Sequence, residues 1–383
     1  MSDGKVRLGV VGVGGMGSQH CKICSEGLEE VVLAAVADID AARAKEVGQQ
    51  YGVASFTSHR DLIGAGIVDA VLIATPHYFH PPIAVDAFEA GLHVLSEKPI
   101  GVETGNAERM LVAARESGKV FGVMFQMRAE APVRRAKELV AGGELGEIRR
   151  TLLVSPEFRS QAYYDSGTWR ATWAGEGGGV LMNQAPHIMD VFVTLGGMPK
   201  RVLGRCAVLL HRIEVEDHAE AMLEYEGGGC GYFYVSTCER GPRTVEIVGD
   251  RGKLALQGGT LRFWRHEPGV AEFNRTNTEM WGMPKAEEVE FELPECETGH
   301  KAITRNFARA ILHGEPLLSP GADGLMSLEL ANAITLSSQK GAAVDLPVDR
   351  EEFHEVMEGL RATSSFKDEW GETQAETDPQ HKT

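Results

Sequence analysis

The sequence predicts an α/β protein in two parts. An N-terminal doubly wound parallel sheet is followed by a C-terminal α+β domain with a large, mostly antiparallel open sheet. Three observations carry this. Short runs of Val, Ile, Leu and Ala alternate with amphipathic helical segments over the first 126 residues, as strands buried on both faces and joined by crossover helices do. A glycine-rich turn separates the first run from the first helical segment. After about Arg128 the pattern changes to longer strand-like stretches with Gly-rich turns, the mark of hairpin-linked sheets.

In the first part the apolar runs are residues 6–11, 31–37, 70–74, 93–95 and 120–125. Helical patterns between them include 41–51, 82–90 and 106–117. A helix over 131–141 ends at Gly142-Gly143. Strands are then expected at 148–154, 201–210, 219–225, 230–237, 244–248 and 260–265, with turns at Gly227-Gly228-Gly229 and Gly258-Gly259. Helices return at 301–313 and 324–340. The division falls at 1–126 and 127–366, and the polar, acidic, aperiodic end, 367–383, reads as a disordered tail.

A chain of 383 residues holds two or three domains and a sizeable core without disulfides. The net charge of −17, from 38 basic and 55 acidic side chains, argues against non-specific binding to nucleic acid or an anionic membrane. No stretch approaches the roughly 20 apolar residues a membrane span needs. No targeting segment is apparent, since the run 6–13 carries Arg7 and reads as a strand. The six cysteines are scattered. Cys21 and Cys24 form a CxxC inside a helical segment, with no second pair at zinc-like spacing. Two partly buried thiols in a cytoplasmic protein are the expectation.

Gly12-Val13-Gly14-Gly15-Met16-Gly17 matches GxGxxG between a strand and a helix, the context in which the motif binds a dinucleotide. Gly12 permits the tight turn, Gly14 lets the backbone approach the pyrophosphate, and Gly17 lets helix and strand pack closely. The helix start offers free N–H groups and a positive dipole end. Asp38 ends the second strand, where a carboxylate takes the adenosine ribose hydroxyls and repels a 2′-phosphate. NAD is therefore preferred over NADP, while Arg43 nearby keeps NADP open.

Three further motifs are Ala74-Thr75-Pro76-His77-Tyr78-Phe79-His80, Ser96-Glu97-Lys98-Pro99, and the stretch 177–190 that runs from Gly177-Gly178-Gly179 through Asn183-Gln184-Ala185-Pro186-His187 to Asp190. In this order, with the Gly-rich loop, they resemble the Gfo/Idh/MocA family of glucose–fructose oxidoreductase and inositol dehydrogenase relatives, over residues of about 5 to 350. The resemblance implies a sugar, polyol or related cyclic alcohol as substrate. It implies self-association, as a homodimer or homotetramer, through the second-domain sheet, and Lys98 and His187 as the catalytic pair. This chain departs from the commoner pattern with Asn183 in place of Asp and His77 in place of Asn.

The residues themselves suit alcohol oxidation, in which a hydride leaves carbon and a proton leaves oxygen. Lys98 follows the strand at 93–95 and can steady developing alkoxide charge at the sheet edge; a surface lysine paired with Glu97 is the plainer reading. His187 titrates in the right range for a general base. Asn183 is a plausible helix N-cap with Pro186 in the first turn, which puts His187 where the dipole keeps its ring neutral. Asp190 can share a face with His187 and either tune its ring or merely pack against the loop.

Cofactor contacts are also expected from Val13, Gly15 and Met16, from the Ala74, Thr75, Pro76, His77 and His80 turn, and from Glu97, Gln126, Trp169 and Arg170. Arg128, Tyr163, Asn183 and Gln184 are candidates for the substrate pocket, since aromatics beside donors suit a carbohydrate. No metal site is expected: His77 and His80 form an HxxH without an acidic or cysteine partner close in sequence. Two other readings stay open, an enzyme that recycles tightly held NAD through oxidation and elimination, and a ligand-sensing regulator.

Overall fold

The computed structural model describes residues 4–365; the tail expected at 367–383 lies outside them. The first sheet has six strands: β1 (Val6–Val11), β2 (Val31–Ala37), β3 (Ala54–Phe56), β4 (Ala70–Ile73), β5 (His93–Ser96) and β6 (Phe121–Val123). All pairings are parallel, in the order β3-β2-β1-β4-β5-β6. Helices α1 (Gly15–Glu26), α2 (Ala41–Tyr51), α3 (His59–Gly64), α4 (His80–Glu89) and α5 (Thr104–Ser117) connect them. β1 and β4 are entirely apolar but for Arg7 and Gly9 and almost wholly buried, as strands covered on both faces must be. β3 has no such signature. Its Ala, Ser and Phe are exposed or half-buried, so no apolar run announced it.

The second part opens with α6 (Ala131–Ala141), β7 (Ile148–Pro156), the single turn α7 (Gln161–Tyr164) and α8 (Pro186–Gly196). Strands β8 (Arg201–Ala207), β9 (His218–Glu224), β10 (Cys230–Ser236), β11 (Thr244–Gly249), β12 (Gly252–Gln257) and β13 (Thr260–His266) follow. The chain then runs through α9 (Val270–Thr276), β14 (Ala286–Glu288), α10 (Gly299–His313), α11 (Gly324–Lys340), β15 (Val344–Asp345) and α12 (Arg350–Ala362). The nine strands lie in the order β14-β13-β12-β11-β7-β10-β9-β8-β15, antiparallel except for the pair β7 and β10. β12, β14 and β15 were not anticipated. β14 and β15 are three- and two-residue edge strands, too short to show a period.

Two packing facts set the site. α10, although late in the chain, returns to the first sheet. Its Ala302, Ile303, Phe307 and Ala308 share a core with Val6, Leu8, Leu95 and Met124. α11 lies over β8 and against α8 and α5, and is buried along most of its length. Its Asn332 accepts from the Thr104 N–H at 3.0 Å and donates to the Val102 carbonyl at 2.9 Å. That clamp holds the segment running on from Lys98 against the second part.

Candidate active site

The C-terminal edge of the parallel sheet is where ligands bind in doubly wound folds, at the point where strand order reverses. Here that point lies between β1 and β4. The Gly-rich loop leaves β1 and turns at Gly12, whose φ is +84°. A Cβ on Gly17 would stand 1.8 Å from the Gly12 carbonyl oxygen, so only glycine lets α1 start this close to the strand. A Cβ at Gly14 or Gly15 would meet nothing within 4 Å, so the backbone there faces open space. Gly14 caps α1 without any side-chain hydrogen bond, which leaves the first N–H groups of Gly15 and Met16 open to an anion.

Asp38 accepts from the Val13 N–H at 2.8 Å and from the Asp40 N–H at 3.0 Å. It therefore braces the phosphate loop from the end of β2. Arg43 donates to the Val13 carbonyl at 3.0 Å and to Ser18 Oγ at 3.1 Å. Tethered in this way, its guanidinium is drawn toward the loop.

After β4, the Ala74-Thr75-Pro76 turn lines the edge half-buried. The Thr75 hydroxyl is buried with no protein partner. His77 bonds through Nδ1 to the Glu176 carbonyl at 3.0 Å and meets the Trp169 ring edge-on. Burial, with His80 and Lys98 nearby, pulls the His77 pKa down to about 3, so the ring is neutral. His80 differs from the sequence expectation. Its two ring nitrogens lie 2.8 Å from the Pro99 carbonyl and 2.7 Å from the Thr75 carbonyl. With both nitrogens occupied, it ties the two strand-end turns together instead of offering a contact to the cofactor.

Glu97 is likewise a brace. Its Oε1 lies 2.7 Å from His20 Nε2 and 4.0 Å from His300, and its Oε2 accepts from the Lys98 N–H. Burial alone would push this carboxyl up, but the bond to His20 and the nearby cations hold it below the usual range. Lys98 Nζ donates to the Asn183 carbonyl at 2.8 Å. Burial lowers the Lys98 pKa, against the upward pull of Glu97, Glu157 and Glu176.

The second part contributes the stretch from α7 to the start of α8. Tyr163 Oη accepts from Gln184 Nε2 at 2.9 Å and from Arg170 Nη1, and donates to Asn183 Oδ1 at 3.3 Å. The Arg170 guanidinium stacks 4.4 Å from the Tyr163 ring centroid and 4.8 Å from that of Trp169. His187 is the second residue of α8, and its ring meets Phe125 edge-on at 6.2 Å. The Gly-rich strip ahead of α8 is pinned by Glu216, whose Oε1 accepts from the Gly179 and Leu181 N–H groups at 2.9 and 3.1 Å.

Three expectations change. Arg128 is not a substrate contact: it is 5% exposed and makes a two-pronged ion pair with Asp190 at 2.6 and 2.7 Å, reinforced by Asp323 and Thr194. Asp190 is thereby Arg128's partner instead of a group that tunes His187. Asn183 does not cap α8. The cap residue is Ala185 and makes no side-chain bond, while the Asn183 amide nitrogen donates to Glu176. Glu176 and Glu216 were missed altogether. The only hint of Glu176 in the sequence is a lone acid within Gly175-Glu176-Gly177.

A dinucleotide fits this edge. Besides the open loop at Gly14 and Gly15, buried polar atoms without protein partners gather around it: Thr75 Oγ1, Gln126 Oε1, Arg170 Nε and Gln184 Oε1. Buried polar groups need partners, and these are donors and acceptors of the kind a nicotinamide nucleotide and a polyol present. Residues 6–125 match a family described as oxidoreductases with an NAD-binding Rossmann fold, and residues 133–255 match the GFO/IDH/MocA C-terminal domain.

The chain belongs to the Gfo/Idh/MocA oxidoreductase family. Its N-terminal part is the family's NAD-binding domain. Over 145 residues, 37% of this chain, it is 37% identical to inositol 2-dehydrogenase of Corynebacterium glutamicum, and that match spans 43% of the enzyme's own length. It is 30% identical over 58% of its length to trans-1,2-dihydrobenzene-1,2-diol dehydrogenase of Bos taurus, 65% of which is covered. The solved WlbA dehydrogenase from Bordetella pertussis, in complex with NADH and UDP-GlcNAcA, superposes with a TM-score of 0.75 at 28% identity, over 90% of this chain and 100% of that one. Both sheets of this Gfo/Idh/MocA chain are thus of the family's kind. Among the described residues no helix is long and apolar enough to cross a membrane.

Proposed function

We propose that this chain is an NAD-preferring dehydrogenase that moves a hydride between the nicotinamide and a secondary alcohol or ketone of a sugar, cyclic polyol or sugar derivative. The observation that supports this most is the bond from Lys98 Nζ to the Asn183 carbonyl. It joins the strand-end lysine to the segment that carries His187, so groups from both parts of the chain converge where the nicotinamide domain opens. The inositol, diol and nucleotide-sugar relatives support the substrate class.

Bound NAD supplies the hydride acceptor. The Lys98 ammonium donates to the substrate oxygen and steadies alkoxide charge as it forms, in a site where burial strengthens that interaction. His187, in the first turn of α8, takes the hydroxyl proton as general base. Gln184 and Arg170 offer donors to further hydroxyls, and Trp169 an apolar face to the ring. The test is a panel of monosaccharides, inositols and nucleotide sugars with NAD and with NADP, followed by the absorbance of reduced nicotinamide. Reduction with a cyclic polyhydroxylated compound supports the reading. Oxidation of simple acyclic alcohols alone would overturn the substrate class.

The open face of the nine-stranded sheet is the proposed surface for self-association. Across β8, β9, β10 and β7 the side chains of Leu203, Met222, Tyr232 and Leu152 form one register row. Leu203 and Met222 are 51% and 57% exposed. Arg205 with Glu220 and Arg150 with Glu246 flank the row with both signs of charge. An apolar strip bordered by both signs suits a second copy related by a two-fold axis.

A further inference from the structure

We infer that Glu176 is a positioning residue of this site: it orients the Asn183 amide and sets a buried negative charge against Lys98 and Arg170. The inference rests on the role proposed above for Lys98. Glu176 is 1% exposed. Its Oε1 accepts from Asn183 Nδ2, its Oε2 accepts from the Ala171 N–H at 2.6 Å, and Arg170 Nη1 stands 3.9 Å from Oε1. Both oxygens accept and neither has an acceptor to donate to, which is the bonding of an ionised carboxylate. Burial pushes its carboxyl up, and Arg170, the Ala171 N–H, Asn183 and Lys98 pull it back.

Directionality then propagates along the chain of contacts. With its nitrogen held by Glu176, the Asn183 amide can only present its oxygen to Tyr163. Tyr163 must donate there, because its oxygen already accepts from Gln184 and Arg170. The carbonyl of the same Asn183 receives Lys98 Nζ. Glu176 therefore reaches the lysine by two routes, through Asn183 and through its charge. Lys98 faces Glu97 beside it, Glu157 at the end of β7, and Glu176 and Arg170 from the loop before α8. His77 and His80 face it from the turn after β4 and the start of α4; burial holds His77 neutral, and lowers His80 against the upward pull of its bonds to the Thr75 and Pro99 carbonyls. Arg170 opposes the lysine's charge. Without the carboxylate, two desolvated cations would face each other with less compensation.

The test reads Lys98 directly and needs no substrate. The holoenzyme is labelled competitively with acetic anhydride across a pH series, and the Lys98 peptide is quantified by mass spectrometry. Glu176→Gln should move the labelling midpoint of Lys98 down by about 1 pH unit, the low end of what one neighbouring opposite charge contributes. The double variant Glu176→Gln/Asn183→Asp, which returns a carboxylate one hydrogen bond away, should bring it back most of the way. NAD affinity by calorimetry should be unchanged in both. With the compound identified by the substrate panel, Glu176→Gln should lower kcat by about tenfold to a hundredfold, with KM little altered and the basic limb of the rate profile displaced to lower pH. A Lys98 midpoint indistinguishable from wild type in Glu176→Gln, or no recovery in the double variant, overturns the inference. Should Glu176→Gln not fold, Asn183→Leu carries the test: kcat must fall while the Lys98 midpoint stays near wild type, and unchanged kcat overturns the orienting role. If Lys98→Met turns over normally, the reading of Lys98 fails instead, and the labelling result distinguishes that case.

Discussion

Lys98 and His187 reach the same sheet edge from opposite parts of the chain, and the consequences can be measured one residue at a time. Lys98→Met is expected to lower kcat by about 10²–10³-fold, the usual cost of a lost charge-stabilising donor. His187→Ala is expected to lower it by about 10²–10⁴-fold, the range for a general base. If both serve one oxygen, the double variant should lose much less than the product of the two. His187→Ala should bind NAD as wild type does, because its segment belongs to the second part. Turnover within a few-fold of wild type in that variant would leave the proton to Tyr163 or Lys98.

Asp38 carries a separate prediction. Calorimetry should find NAD bound more tightly than NADP, and Asp38→Ala should narrow the gap. Part of its loss should be shared by both cofactors, because Asp38 also holds the Val13 N–H of the phosphate loop. Tighter NADP binding by wild type would rule the preference out.

Among the elements, the glycine strip ahead of α8 is held by one buried acid, Glu216, which accepts from the Gly179 and Leu181 N–H groups. Burial, opposed by the Leu181 and Gly179 N–H groups and aided by Glu176, drives the Glu216 carboxyl up to about 7. The folded state then holds this proton more tightly than the unfolded chain, whose carboxyl titrates at its ordinary 4.5. Stability therefore falls as pH rises from about 4.5 to about 7, and this contribution is level above that. Glu216→Gln should flatten that part of a plot of Tm against pH. An unchanged slope would show that another group causes it.

Across the whole molecule, the two sheets are joined by contacts far apart in sequence: Arg128 to Asp190, Thr104 to Asn332, and α10 onto the first sheet's core. Among the described residues nothing covers Leu203 and Met222 on the open face of the second sheet, which are 51% and 57% exposed. Met222→Glu should therefore shift the mass in light scattering toward the monomer at micromolar concentration while leaving Tm and NAD binding nearly unchanged. A wild-type chain that is already monomeric there would remove the proposed interface.

The sequence by itself determined the parallel sheet, the phosphate loop with Asp38, and the order of motifs that sends Lys98 and His187 to one edge. These signals are local. Strand period, a glycine that must lack a Cβ, and a strand-to-helix turn are set by residues within a few positions of each other. Tertiary structure alone decided which charged groups are used up and which are left for chemistry. Arg128 looked as available as Arg170 in the sequence, and a partner 62 residues away consumes it. Asn183 had the spacing of a cap, yet Glu176 captures its amide. His80 and Glu97 carried the motif but are occupied by carbonyls and by histidines brought in by α1 and α10. Edge strands such as β14 and β15 were invisible for the related reason that pairing, not composition, makes them strands. The physical cause is the same throughout: the free energy of a polar group depends on its burial and on the partner it meets, and both are properties of the packed chain, not of its neighbours in sequence.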